Sequence, residues 1–169
     1  GFFTISAIRR FNVSDSTVGL YTFSLLIGQT IGNLVLGWLA DKFGHKQSME
    51  IGVAANLIAF ILAVIMPSPR FYFIAFFLLG INLSSAIVSS MLVVWEFCPL
   101  ERVPTYSGLA NTAKGIVGLL IPLIAAQIAK MDYRILFGAC AIVTLIGLSL
   151  LKYWVTEPRW NRSDLLKVE

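Results

Sequence analysis

The sequence predicts an all-α integral membrane protein, an antiparallel bundle of transmembrane helices. Three observations carry this reading. Hydrophobic residues make up 57% of the 169 residues and charged residues only 13%, with a mean hydropathy of +0.82; a soluble domain carries about 25% charged residues. The charge collects in short segments between five long apolar runs, at 17–40, 48–66, 71–94, 106–129 and 133–155. Each run is close to the ~20 residues that a helix rising ~1.5 Å per residue needs to cross ~30 Å of hydrocarbon. Barrel strands are about 10 residues long and alternate strictly, which these runs do not. Five apolar helices in succession would leave a soluble fold no polar faces for water.

Taken in order, the opening segment 1–8 is apolar but short, and Arg9 and Arg10 follow it. A cleavable signal peptide would have the reverse order. The segment reads as the tail of a helix whose start is absent, so the chain is expected to be a piece of a longer protein. Ser14-Asp15-Ser16 offers a cap for the first complete span. Asp41-Lys42-Phe43-Gly44-His45-Lys46 closes that span with a tight charged turn, and Pro67-Ser68-Pro69 breaks the chain after the second. Pro99 and Pro104 stop helix continuation between the third and fourth, and 130–132 joins the fourth and fifth. Connections this short make successive helices antiparallel neighbours. The side bearing Lys42, Lys46, Arg102, Lys152, Arg159, Arg162 and Lys167 outnumbers the side bearing Arg9, Arg10, Arg70, Lys130 and Arg134. The positive-inside rule therefore favours a cytoplasmic carboxy terminus. A formal charge of +4 is ordinary for such loops and gives no reason to invoke nucleic acid. Cys98, near a helix end, and Cys140, in mid-span, read as packing residues rather than a disulfide. No metal or cofactor site is expected.

The segment Gly37-Trp38-Leu39-Ala40-Asp41-Lys42-Phe43-Gly44-His45-Lys46 resembles the loop signature of the major facilitator superfamily, G-x-L-A-D-[RK]-x-G-[RK]-[RK]. Gly37 would permit close helix approach and Gly44 a turn with positive φ. Asp41 could face a helix amino terminus, and Lys42 and Lys46 would anchor the loop at the cytoplasmic face. His45 departs from the usual Arg or Lys and loses a permanent charge. The segment 101–112 is similar to the start of the eleventh helix in bacterial members. Pro122, the passage Asp132-Tyr133-Arg134-Ile135-Leu136-Phe137 and the ending Thr156-Glu157-Pro158-Arg159 fit helices eleven and twelve. The resemblance covers nearly the whole chain and implies the carboxy-terminal half of that fold: the end of helix seven plus helices eight to twelve. It implies a half-domain over 1–155 and a cytoplasmic tail over 156–169, in an inner or plasma membrane. It further implies a secondary transporter, symporter or antiporter, working by alternating access. Its partners would be the lipid bilayer, a missing amino-terminal six-helix half, a small-molecule substrate and a coupling ion, proton or sodium.

In that family helices seven, eight, ten and eleven border the substrate cavity, while nine and twelve face lipid. Intramembrane polar residues turn toward the bundle interior or water, so the first, third and fourth complete spans should carry polar stripes. At 100° per residue the first span gathers Tyr21, Ser24, Gly28 and Gly32, with Gln29 and Asn33 adjoining. The third aligns Asn82, Ser85, Ser89 and Glu96, and the fourth Ser107, Asn111, Lys114, Gly118 and Pro122. The second has Asn56 as its one strongly polar interior residue. Tyr21, Ser24, Gln29, Asn33, Asn82, Ser85, Ser89, Asn111 and Lys114 are the candidate cavity residues. Gly37, Asp41, Lys42, Gly44 and Lys46 form the candidate gating loop. Helix–helix packing is the competing account of the small and hydroxyl positions, Gly28-x-x-x-Gly32 among them. Lys114, about 8 residues or ~12 Å into its span, could meet an anionic group of a substrate, pair with a carboxylate, or snorkel to the interface. Glu96 ends its span, which suits an interfacial contact better than proton coupling. Pro122 suits either a hinge or a static kink. An embedded enzyme would need a nucleophile–base pair, a metal cluster or paired acids, and the sole histidine, His45, sits in a loop. A transporter-like sensor or scaffold remains open, as do the substrate, the direction of transport and the oligomeric state.

Overall fold

The computed structural model describes residues 1–65, 68–96 and 98–155. The expected tail from residue 156, Pro67 and the Glu96 side chain lie outside the described residues. Among the described residues the chain forms six α-helices: α1 (Phe2–Phe11), α2 (Asp15–Phe43), α3 (His45–Ile65), α4 (Phe71–Glu96), α5 (Val103–Met131) and α6 (Tyr133–Trp154), with one 3-10 turn at Leu100–Arg102. No strand occurs among the described residues. Five of the helices, α2 to α6, are long and apolar enough to cross a membrane.

Helices α2 and α5 overrun their apolar runs at both ends because caps and first-turn residues, rather than hydrophobicity, set those ends. Ser14 is extended, and its hydroxyl accepts the Thr17 amide at 3.4 Å, so α2 starts at Asp15. That contact satisfies one of the orphan amides of the first turn. The same helix closes at Gly44, which has φ 101° and donates its amide to the Ala40 carbonyl at 2.9 Å. Pro104 sits in the first turn of α5, where its missing amide removes no helical bond. Asp132 joins α5 to α6: its amide donates to Ile128 at 3.3 Å, and its carboxylate accepts the Arg134 amide at 2.7 Å.

The central element is α4, packed between α2 on one side and α3 on the other. Without a hydrophobic drive between helices in lipid, close approach depends on small residues. A Cβ on Gly28 would meet the Phe77 carbonyl, and one on Gly80 the Leu25 carbonyl; one on Gly32 would lie 2.8 Å from the Ser84 Cβ. On the neighbouring face of α4, toward α3, Ser85 fills the space that a Cβ on Gly52 would need. The packing of α3 continues onto α6, and α5 rests about equally on α6 and α4.

The core lies toward the ends opposite the Gly44 turn. There Phe3 and Ala7 of α1 meet Ala59 and Ala63 of α3, Tyr72 and Phe76 of α4, and Phe137 of α6. The rings of Phe3 and Phe137 are 4.6 Å apart, and those of Tyr21 and Phe76 are stacked at 5.2 Å. Polar groups lock α1 in place: Ser6 and Tyr72 share a buried hydrogen bond of 2.9 Å, and Arg10 donates to the Ala63 carbonyl near the end of α3 at 2.7 Å. The short opening segment is thus part of the core.

Candidate functional site

The polar residues of α2 and α4 divide by what holds them. Tyr21 is fully buried, and its hydroxyl donates to the Pro69 carbonyl at 2.8 Å. Ser24 donates to the Phe73 carbonyl at 2.9 Å. Asn33 accepts a 2.8 Å bond from Ser84 through its side-chain oxygen. Ser85 donates to the Ser48 carbonyl at 2.9 Å, and Ser89 lies 3.3 Å from Nδ1 of His45. All these bonds join neighbouring helices or the turn before α4, which is what the packing account of the hydroxyl positions requires. Gln29 and Asn82 are half-buried, with their backbones beside Gly80 and Gly52 respectively.

The structure does not bring Asn111 and Lys114 into that set. Both are exposed on α5, and the described hydrogen bond between α4 and α5 lies elsewhere, from the Trp95 indole to Ser107 at 2.8 Å. Glycines on this stretch of α5 differ from those of α2 to α4. A Cβ on Gly108, Gly115 or Gly118 would meet nothing within 4 Å. Val103 begins the helix earlier than the apolar run suggests, so Lys114 lies 11 residues in, about 16 Å from the helix start rather than ~12 Å. Lys114 makes no hydrogen bond or ion pair with the described residues.

The loop is tied to three helices. Lys42 places its ammonium 5.0 Å from the ring centre of Trp38 and 5.2 Å from that of Phe43, a cation–π arrangement. Asp41 is exposed. His45 is the first residue of α3 and is buried against Ser89 of α4. Lys46 pairs with Glu50 at 3.3 Å and donates to the Lys152 carbonyl of α6 at 3.2 Å. Gly44 has the positive φ expected of it. Gly37 does not make the expected close approach, since a Cβ there would meet nothing within 4 Å.

Several contributors escaped the sequence reading. Ser84 points at α2 while its neighbour Ser85 points at α3; the adjacent pair, about 100° apart on one helix, was the available signal. Asn56 does not stand alone on a lipid-facing span. It lines a groove of about 380 Å³ between α3, α5 and α6 with Phe60, Ile121, Ala125, Cys140 and Thr144. The groove walls are largely apolar. Among the described residues no group of three or more His, Cys, Asp or Glu side chains converges.

The model of the Major Facilitator Superfamily matches residues 1–166. Similar proteins include the inner membrane metabolite transport protein YdjE of Escherichia coli, 29% identical over 83% of this chain and 31% of that protein. The plastidic glucose transporter 4 of Arabidopsis thaliana is 29% identical over 90% of this chain and 29% of its own length. The gentisate transporter of Corynebacterium glutamicum is 26% identical over 78% of this chain and 31% of its own. The chain thus spans about a third of the length of these relatives. No solved structure matches it. An all-helical chain with five spanning helices, a Gly44 turn between the first two of them and a family match over almost its full length belongs to the major facilitator superfamily, as a multi-pass integral membrane protein.

Proposed function

We propose that this chain is the carboxy-terminal half of a secondary transporter that moves a small organic solute by alternating access, with its missing amino-terminal half completing the site. The observation that carries the reading is the family match together with relatives named for metabolite, glucose and gentisate transport. In such transporters two halves rock about a site near the bilayer midplane, and the helices of this chain would form one wall. The half-domain then comprises residues 1–155, and the tail from 156 is cytoplasmic. The 3.2 Å bond from Lys46 to the Lys152 carbonyl supports one shared side for the Gly44 turn and the end of α6, and the charge count favours the cytoplasm for that side, in a proposed inner or plasma membrane.

Of the candidate cavity residues, Gln29, Asn82, Asn111 and Lys114 have the freest polar groups and are the ones proposed to meet solute. Tyr21, Ser24, Asn33, Ser85 and Ser89 are proposed to shape the wall through their helix contacts. The loop Gly37–Lys46 would gate by moving α3, α4 and α6 as one body through His45 and Lys46. Among the described residues the acids lie at helix ends, in turns or, for Glu50, paired within the first turns of α3. A coupling proton would therefore be carried by the other half, and a coupling sodium ion would need oxygens from both. The test is counterflow of labelled solutes in proteoliposomes of the full-length protein. Accumulation of a solute against its preloaded unlabelled form supports the reading; a protein that exchanges nothing sinks it.

A further inference from the structure

We infer that Lys114, with Asn111 one turn away, binds the carboxylate of an organic anion, so that the solute of this half-bundle is a small carboxylate rather than a neutral sugar. The inference rests on the transporter reading and adds the chemical class. α5 has 29 residues, hence a length of about 43 Å against a hydrocarbon core of ~30 Å. Arg102 and Lys130 stand at its two ends and place those ends at the two interfaces. The helix then overhangs the core by about 6 Å at each side, which leaves the Lys114 Cα about 10 Å inside. An extended lysine stem spans roughly 6 Å. Snorkelling alone therefore leaves the ammonium short of the interface, and a cation held there is costly without compensation.

Compensation is not found within the chain. Lys114 has no ion-pair or hydrogen-bond partner among the described residues, and its helix face is open. Gly115 and Gly118 beside it present bare backbone with nothing within 4 Å of where their Cβ atoms would be. That contrasts with Gly28, Gly32, Gly52 and Gly80, each of which accommodates a neighbouring helix. Asn111, three residues earlier, puts an amide on the same face about 5–6 Å away at Cβ. An ammonium and an amide N–H at that spacing supply two donors for the two oxygens of one carboxylate. A single fixed positive charge matches a monoanionic group, and a dianionic phosphate would leave one charge unneutralised in a dehydrated site.

The test uses the full-length protein in proteoliposomes with the labelled monoanions benzoate, 4-hydroxybenzoate and lactate, and with labelled glucose and myo-inositol as uncharged probes. The expected result is counterflow of at least one carboxylate. K114Q should slow it at least tenfold, chiefly through KM, while K114R retains it within about threefold and N111A costs less than K114Q. Unchanged melting and gel-filtration profiles for K114Q separate loss of binding from misfolding. Exchange of the uncharged solutes alone, or carboxylate exchange that K114Q leaves intact, overturns the inference while the transporter reading stands. A K114Q protein that melts far earlier, and is restored by removing an acid of the other half, would also overturn it by making Lys114 a structural ion-pair partner. Exchange of no probe counts against both.

Discussion

Replacing Gly80 by alanine adds one methyl at the tightest point between α2 and α4. That Cβ would stand 2.7 Å from the Gln29 amide nitrogen and 3.0 Å from the Gly28 carbonyl carbon, besides meeting the Leu25 carbonyl; ordinary contact begins at 3.4 Å. All three obstacles are backbone within a helix, so no side-chain rotation relieves them. The helices must part by about 0.7 Å or more, a gap that forfeits a quarter to a half of each dispersion contact along the seam. Overpacking of this kind costs about 1–3 kcal/mol. The hydrogen bonds flanking the seam, Ser24 to Phe73 and Ser84 to Asn33, would weaken too, each worth about 0.6 kcal/mol in a membrane. Against this, alanine is the better helix former by about 1 kcal/mol. The net expectation is a destabilisation of about 1–3 kcal/mol. The assay is equilibrium unfolding of the full-length protein in bicelles by added SDS. Gly19→Ala on α2, where a Cβ meets nothing within 4 Å, is the control and should be neutral or mildly stabilising. A G80A protein that unfolds with G19A would refute the claim that the seam depends on bare backbone.

Other expectations follow from single features. Gly44→Ala forces a side chain to φ 101° and should cost about 1–2 kcal/mol by the same unfolding measurement. A double-mutant cycle of S84A and N33A should return a coupling of about 0.6 kcal/mol for their 2.8 Å bond; additive effects would show that the bond contributes nothing. With Cys98 and Cys140 replaced by serine, an impermeant maleimide applied to intact cells should label R70C, and E101C only after permeabilisation. The reverse pattern would invert the proposed orientation.

The fold was legible because five apolar runs of spanning length admit little but helices in a bilayer. Helix ends were less so, since a cap such as Ser14 or a first-turn Pro104 extends a helix beyond the apolar stretch that announces it. The opening segment was undervalued for a similar reason. Ten residues of helix carry too little pattern to read, yet Phe3 stands among Phe60, Phe76 and Phe137, contacts that no local pattern encodes. Periodicity correctly put Tyr21, Ser24, Gly28 and Gly32 on one face but could not say what that face meets. Here it meets α4. His45 was read as a lost charge in a loop, whereas its ring is buried against Ser89; a neutral imidazole can accept such burial where a guanidinium would need a counter-charge.

The two kinds of glycine separate the bundle into parts with different freedom. Around α4, glycines are occupied by carbonyls and serines of the next helix, and each contact is reinforced by a hydroxyl bond close by. Loosening one would expose backbone groups in hydrocarbon, so α2, α3 and α4 move together or not at all. α5 has no such seam. Its buried residues, Ala125 and Ala129, lie in its last two turns, near Asp132, and the Trp95–Ser107 bond holds its other end. Between those two attachments run Asn111, Lys114, three open glycines and Pro122, a stretch about 27 Å long at ~1.5 Å per residue. A helix pinned at both ends with a proline between can bend its middle without breaking contacts elsewhere. The charge that most needs a partner is carried on that same stretch. Closure of α5 around a carboxylate would therefore neutralise Lys114 and relieve its desolvation in one movement, and solute binding would thereby favour one conformation of the half-bundle over the other.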